Sequence, residues 1–154
     1  MAPGNASVPD IAIRDATVDD SEPIARFVCE LGYHTSVSQM RKRLESIRSD
    51  DGYNTLVACD GVEIVGFIGT RIGFLYEGDR PYGQIMALAV ARGHHRRGVG
   101  RMLIKAAESV LVGRGAQVLA VTSGNQRSDA HAFYEGCGYT FTGRSYKKSV
   151  PLSA

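Results

Sequence analysis

Hydrophobic residues in the first fifty positions recur at helical spacing in two segments. Residues 21–31 and residues 38–49 each place their apolar side chains on one side of a helix. Residues 17–20 precede the first segment and supply N-cap candidates. Residues 11–14 alternate and predict a strand before both helices. The apolar stripes are Ile24, Phe27, Val28 and Leu31 in the first helix and Met40, Leu44 and Ile47 in the second.

The spacing then changes to that of strands. Residues 55–59 and 62–69 flank Asp60-Gly61, a dipeptide favoured in tight turns, and predict an antiparallel hairpin. Its second strand is expected to run to about Phe74. A polar loop follows over residues 75–82, and an apolar run predicts a central strand at residues 83–91.

After Gly98 the apolar positions again have helical spacing, until Gly113 and Gly115 predict the end of the helix. Residues 117–122 predict a short strand buried on both faces, so this strand, the helix and the central strand form a parallel crossover. A helix at 128–136 and terminal strands at 138–142 and 145–150 are expected next. The chain is therefore predicted to be mixed α/β, with helices on both faces of one sheet. The apolar positions of the long helix are Val99, Met102, Leu103, Ala106, Ala107, Val110 and Leu111.

Length and composition limit the function classes. The 154 residues suffice for one domain with a buried core, predicted over residues 11–150 after a frayed tail at residues 1–10. With 18 Lys and Arg against 16 Asp and Glu, the net charge of +2 argues against a general nucleic-acid binder. No stretch is apolar for long enough to cross a bilayer and no signal-peptide pattern is present, so a cytoplasmic location is expected. The cysteines at positions 29, 59 and 137 lack metal-ligand spacing and are expected to be reduced thiols in or near the core.

The segment from His94 to Arg101 is basic and rich in glycine, and it joins the central strand to the long helix. The first turn of a helix attracts anions, because its N–H groups are unpaired and the macrodipole is positive there. Gly98 and Gly100 lack Cβ atoms, so a phosphate can approach the backbone closely, and nearby arginines add charged donors. A basic surface loop capped by glycines is the alternative interpretation, which the flanking strand and helix disfavour.

Two motifs and the order of elements resemble the GNAT superfamily of acetyl-CoA-dependent N-acetyltransferases over about residues 11–150. The first motif is Gln or Arg, two residues, Gly, one residue, then Gly or Ala. Residues 95–100 match it, with His95 where Gln or Arg is usual. The second motif is Asn125, then the Ala-x-x-Phe-Tyr-Glu helix at residues 130–135 and the pair Gly138-Tyr139. Two motifs in the right order are more specific than either alone.

This resemblance implies a central mixed sheet of about six to seven strands and about four helices, with a V-shaped splay between the strands at 83–91 and 117–122. The pantetheine arm of acetyl-CoA would pair with the first of these strands as an added strand does. The pyrophosphate would lie on the N–H groups of residues 97–101, and no metal is implied. The implied cofactor-binding residues are Leu88, Ala89, Val90, His95, Arg96, Arg97, Gly98, Val99, Gly100, Arg101, Asn125, Phe133 and Tyr134.

The resemblance also implies a mechanism in which an acceptor amine attacks the thioester carbonyl directly. The Val90 N–H would stabilise the developing oxyanion, and Tyr134 would be the general acid that protonates the leaving thiolate. Gln84 occupies the position of a glutamate that serves as base in the histone acetyltransferase branch, and an amide cannot take that role. The base is left unassigned. The alternatives are Glu30, His34, Glu77, Asp79 and a water chain.

The expected acceptor is a primary amine of a small molecule. The first two helices, their connection at about residues 31–38 and the 75–82 loop are expected to bind it, with Glu77 and Asp79 attracting a cationic amine. A protein N-terminal or lysine acetyltransferase and a non-catalytic acyl-CoA-binding module are alternatives, and a homodimer is left open. A P-loop or dinucleotide site is disfavoured, because no Gly-Lys-Ser/Thr and no third glycine follows the glycine pair.

Overall fold

Capping boxes begin the 3-10 turn before the first helix and the second helix. Thr17 Oγ1 accepts a hydrogen bond from the Asp19 N–H, and the Thr17 N–H donates to Asp20 Oδ2 across the 3-10 turn that leads into the first helix. Ser36 Oγ accepts from the Gln39 N–H, while Gln39 Oε1 accepts from the Ser36 N–H. Each box satisfies N–H groups that a helix start leaves unpaired. Both helices therefore form where the sequence predicts them.

The computed structural model describes residues 10–123 and 128–152. The chain divides into two units, Met1–Val121 and Thr122–Ala154. The predicted tail, apart from Asp10, and Asn125 lie outside the described residues. The elements of the first unit are β1 Ile11–Asp15, α1 Ser21–Glu30, α2 Val37–Arg48, β2 Tyr53–Asp60, β3 Glu63–Gly73, β4 Tyr82–Val90, α3 Val99–Gly113 and β5 Val118–Val121; the second unit holds α4 Ser128–Gly136.

The first unit contains one mixed sheet with strand order β1-β2-β3-β4-β5. The first four strands are antiparallel, and β5 runs parallel to β4, which confirms the predicted crossover through α3. In the β2–β3 hairpin Asp60 pairs with Glu63, so the turn is centred on Gly61 and Val62, one residue later than predicted. Gly61 has a φ of +62°, which a tight hairpin turn favours at this position.

Helices cover both faces of the sheet. On one face, buried residues of α1 and α2 such as Phe27 and Leu44 pack with Val57 of β2 and Phe67 of β3. On the other face α3 lies so close that a Cβ added to Gly66 would be 3.1 Å from Leu103 Cδ1. The same Cβ would lie 3.0 Å from the Ala89 carbonyl oxygen of β4, so glycine at position 66 allows α3 and β4 to approach closely. The predicted two-sided arrangement is confirmed.

Three predictions are corrected by the structure. The described residues form a five-stranded sheet rather than six to seven strands, because 138–142 and 145–150 form no strand. Alternating apolar residues make a strand only beside a partner edge, and Phe141, Tyr146 and Val150 are 78%, 85% and 81% exposed. Strand β5 is not buried on both faces, since Val118 at the sheet edge is 54% exposed. Cys59 is buried, but Cys29 is exposed rather than near the core.

No helix among the described residues has both the length and the hydropathy needed to cross a membrane.

Candidate functional site

A bulge in β4 changes which face its side chains occupy. Gly69 of β3 pairs with Ala87 and Thr70 pairs with Ile85, so Met86 is an extra residue without a partner in β3. Before the bulge, Gly83 faces Leu111 of α3. After it, Ala87 and Ala89 pack against the cluster formed with α1 and α2. One inserted residue therefore reverses the facing of β4, as bulges do in antiparallel pairs.

The sheet opens at this bulge. Strand β5 pairs with Tyr82–Ile85 and ends opposite Ile85, at Val121. Within the described residues, β4 from Met86 to Val90 has β3 on one edge and no strand on the other. The Ala91 N–H donates to the Val65 carbonyl of β3. The backbone N–H and C=O groups of successive residues point to alternate edges of a strand. Because the Ala91 N–H points to β3, the N–H and C=O groups of Val90 and Leu88 point to the open edge.

The segment after β4 is held by two histidines. His94 Nε2 donates to Asp60 Oδ2 at the β2–β3 turn, over 3.1 Å. His95 Nε2 donates to the carbonyl oxygen of Val90, over 2.8 Å. His95, the departure from the usual motif, therefore binds the last residue of the open edge. Both contacts link the start of α3 to the ends of strands.

The N-terminus of α3 is open and basic. Gly98 is its N-cap residue with φ +80°, and a Cβ added there would meet nothing within 4 Å. The first turn of α3 contains no acidic residue. The arginines before and within this turn, Arg92, Arg96, Arg97 and Arg101, are exposed. Arg96 has φ +63°, a left-handed conformation that is uncommon for a residue other than glycine.

The open edge and the helix start are consecutive in the chain and offer different chemistry. The edge presents peptide N–H and C=O groups to an extended chain that carries amides, whereas the helix start presents N–H groups and guanidinium groups to an anion. A molecule with an amide-containing arm joined to a pyrophosphate fits both parts, and acetyl-CoA is such a molecule. The predicted residues Leu88 to Arg101 thus lie together in one unit.

Other predicted residues lie in the second unit. Phe133 and Tyr134 are half-buried neighbours on α4 with ring centroids 5.4 Å apart, and the Tyr134 ring also lies edge-on to Tyr139. The Tyr139 N–H donates to the Tyr134 carbonyl just after the helix. The roles assigned to Phe133 and Tyr134 stay predictions.

The candidate general bases are not gathered at the open edge. Glu30, His34, Glu77 and Asp79 are exposed, and Gln84 is half-buried on β4. Glu77 and Asp79 line a groove of about 340 Å³ where β4 and β5 begin. Tyr82 precedes Met86 by four residues, or about 13 Å of strand, so this groove is distant from the bulge. Among residues 10–123 and 128–152, no three His, Cys, Asp or Glu side chains are grouped as metal ligands would be.

Sequence reasoning missed the bulge at Met86 and the His94–Asp60 hydrogen bond. A bulge adds one residue to an otherwise regular apolar run, so the pattern of residues 83–91 contains no sign of it. The His94–Asp60 contact joins positions 34 residues apart and depends on how the hairpin packs beside the β4–α3 connection.

Comparison with known proteins identifies a family and several similar chains. The model of the Acetyltransferase (GNAT) family matches residues 18–139. An aminoalkylphosphonate N-acetyltransferase of Salmonella typhimurium is 26% identical over 133 residues, which are 86% of each chain. The crystal structure of a transcriptional regulator from Bacillus halodurans is 26% identical, with a TM-score of 0.82 over 91% of this chain and 99% of that one. An aminoglycoside N-acetyltransferase solved with CoA shares the fold, with 17% identity and a TM-score of 0.81 over 92% of this chain and 95% of its own.

The family match spans well over half of the chain and includes the bulge, the open edge and the whole of α3. The chain therefore belongs to the GNAT family of acetyltransferases and is an acetyl-CoA-dependent acyltransferase.

Proposed function

We propose that this chain transfers the acetyl group of acetyl-CoA to a primary amine of a small molecule, by direct attack within a ternary complex. The observation that carries the proposal is the open edge of β4, Met86–Val90, which continues into the uncapped start of α3. Acetyl-CoA supplies the activated acyl group. In this proposal residues 11–150 act as one domain, in keeping with a family match that extends over both units.

Different groups of the chain would bind different parts of acetyl-CoA. Leu88 and Val90 direct backbone groups to the open edge and would pair with the pantetheine amides, beside Ala89. The N–H groups of Gly98, Val99 and Gly100 would hold the pyrophosphate, and Arg96, Arg97 and Arg101 would add charged donors. His95 would keep Val90 in place through its hydrogen bond to the Val90 carbonyl. Asn125 and Phe133 complete the proposed set of binding residues.

The chemical step needs an oxyanion donor, an acid and a base. The amine nitrogen forms a bond to the carbonyl carbon and gives a tetrahedral oxyanion, which collapses as the carbon–sulfur bond breaks. The Val90 N–H is the proposed donor to the oxyanion. Leu88 presents a second N–H on the same edge, nearer to the bulge. Tyr134 is proposed to give its proton to the departing thiolate, and the amine proton leaves to solvent or to an unassigned base.

Two observations favour a small acceptor over a protein. The relative from Salmonella typhimurium, similar over 86% of this chain, is named for a small aminoalkylphosphonate. Position 84 carries a glutamine where the histone acetyltransferase branch is expected to have glutamate. Acetylation of protein N-termini or lysines is therefore the weaker alternative.

Thiol release from acetyl-CoA, measured across a panel of amines, tests the proposal. The panel would contain 2-aminoethylphosphonate, β-alanine, putrescine, an amino sugar, an N-terminal peptide and a lysine peptide, with each product checked by mass. We expect release above the hydrolysis background with at least one small amine. Turnover with peptides alone would overturn the small-molecule acceptor. Acetyl-CoA binding without release for any amine would instead favour the non-catalytic module.

A further inference from the structure

One row of side chains crosses three strands beside the bulge. Tyr53 of β2 pairs with Arg71 of β3, and Arg71 pairs with Gln84 of β4. Directly opposed residues in antiparallel strands project to the same face and lie within contact range. Tyr53 is four residues from Val57, so the row lies on the face that α1 and α2 cover further along the strands.

The exposed Arg71 side chain lies near the Tyr53 ring, and no carboxylate of residues 10–123 or 128–152 forms an ion pair with it. Its guanidinium lies 5.8 Å from the centre of the Tyr53 ring, a cation–π distance that orients it. The ion pairs among the described residues use Arg14, Arg41 and His94 as cations. A guanidinium without a carboxylate is available to bind an anionic group through two parallel hydrogen bonds.

The next row of the same face is open. It consists of Thr55, Gly69 and Ala87, all of them small and half-buried. A Cβ added to Gly69 would meet nothing within 4 Å, so space lies above this row. Ala87 directly follows Met86, where the open edge of β4 begins. The space therefore lies next to the Arg71 row and beside the start of the open edge.

We propose that the acceptor lies over Gly69 and Ala87 and that it carries an anionic group, such as a phosphonate or carboxylate, which Arg71 binds. The amine would then face the start of the open edge, where Leu88 presents its N–H, and a short chain would separate the amine from the anion. Rows on one face of a strand are about 7 Å apart, which matches the length of a small amino acid or aminoalkylphosphonate. The inference rests on the proposed acetyl transfer and narrows its substrate class.

The main test compares acceptors with the same amine and a different second group. Acetyl transfer would be measured with 2-aminoethylphosphonate, β-alanine, ethanolamine and putrescine, for the unaltered protein and for Arg71→Gln, Arg71→Lys and Arg114→Gln. We expect kcat/KM to be at least about tenfold higher for the anionic acceptors than for ethanolamine and putrescine, because a charge-assisted hydrogen bond contributes on that scale. Arg71→Gln should remove that preference with little change for ethanolamine, and Arg71→Lys should keep part of it. Arg114→Gln, an equal charge change at the end of α3, should leave it intact.

A second variant tests the location of the acceptor. Gly69 has no positive φ and open space above it, so Gly69→Val should fold, while its side chain fills the proposed acceptor space. We expect the acceptor kcat/KM to fall by at least about tenfold through steric exclusion, with the Kd of acetyl-CoA and Tm preserved.

The outcomes separate this inference from the proposed function. If Arg71→Gln lowers kcat/KM equally for anionic and uncharged amines, or if putrescine is the better acceptor of the unaltered protein, acetyl transfer stands and the anionic acceptor is wrong. If no amine is acetylated while acetyl-CoA binds, both fail. Calorimetry of 2-aminoethylphosphonate binding to the protein with CoA provides a readout that does not depend on turnover, and equal affinity for Arg71→Gln would also overturn the inference.

Discussion

His95 Nε2 donates a hydrogen bond of 2.8 Å to the carbonyl oxygen of Val90. This contact joins the first position of the glycine motif to the last residue of β4. It places a donor where Gln or Arg is usual in the motif, so the substitution retains hydrogen-bonding capacity. Because the Val90 carbonyl lies on the open edge, the imidazole positions the strand end beside the start of α3.

Removal of this contact should weaken acetyl-CoA binding. We expect His95→Ala to raise the Kd of acetyl-CoA by about tenfold, the usual scale for one hydrogen bond with an unpaired carbonyl left behind. His95→Gln retains a donor and serves as the matched control, with a Kd close to that of the unaltered protein. Titration calorimetry checks both. Equal affinity for His95→Ala and the unaltered protein would show that the contact does not position the edge.

A negative charge at the N-cap of α3 should compete with the pyrophosphate. Gly98→Glu is expected to lower acetyl-CoA affinity by at least about tenfold, since a carboxylate there repels phosphate and occupies the positive helix end. Gly98→Ala is the control, because it imposes the same left-handed strain at φ +80° without the charge. Binding of CoA by Gly98→Glu with unaltered affinity would overturn the proposed pyrophosphate site.

The strained backbone at Arg96 should be relieved by glycine. With φ +63° in the folded protein, Arg96→Gly is expected to raise Tm by about 2 to 4 °C, since left-handed strain costs about 1 kcal/mol in a chain of this size. Arg97→Gly removes the same charge from a residue without positive φ and should not raise Tm. Calorimetric unfolding distinguishes the two. A lower Tm for Arg96→Gly would mean that the arginine side chain stabilises the segment by more than the strain costs.

Acid stability should depend on Asp20. Arg14 donates two hydrogen bonds to this buried carboxylate, over 2.8 and 2.9 Å, and these chiefly hold the pKa of Asp20 below its ordinary value, with help from the Thr17 N–H. Because the folded pKa is the lower one, the pair stabilises the fold above the unfolded pKa of about 3.9 and loses that contribution as pH falls through the folded pKa.

We therefore expect Asp20→Asn to lower the free energy of unfolding by about 1 to 2 kcal/mol at neutral pH, with the lower figure favoured because the Arg14 side chain is 47% exposed. The difference from the unaltered protein should shrink below about pH 4. Urea unfolding across pH measures it. Asp19→Asn is the control, because Asp19 is the neighbouring residue and is exposed. If the difference in free energy of unfolding between Asp20→Asn and the unaltered protein stayed constant with pH, this account would be contradicted.

Loss of the Tyr134 hydroxyl should slow the chemical step. Tyr134→Phe is expected to lower the single-turnover rate by about 10² to 10⁴, the usual contribution of a general acid, with little change in acetyl-CoA affinity. Tyr139→Phe, whose ring lies edge-on to that of Tyr134, is the matched control and should retain the rate. An unchanged single-turnover rate for Tyr134→Phe would make the acid role wrong.

The sequence by itself determined the elements whose signals are local. Helical periodicity and capping residues located α1, α2 and α3, and Asp60-Gly61 identified the hairpin, with its turn one residue later. Gly98 marked the start of α3, because no other residue adopts its backbone conformation without strain. Each of these features is determined by residues close together in the chain, so it can be predicted from the sequence alone.

Tertiary structure decided what depends on partners distant in the chain. The bulge at Met86 arises from pairing with β3 and sets the facing of Ala87, and β5 ends beside it, opposite Ile85. The partner of His95 and the row of Tyr53, Arg71 and Gln84 follow from strand register. Residues 138–142 and 145–150 have the alternating pattern of strands but form none. A strand requires a partner edge for its hydrogen bonds, and periodicity within one segment cannot supply that partner.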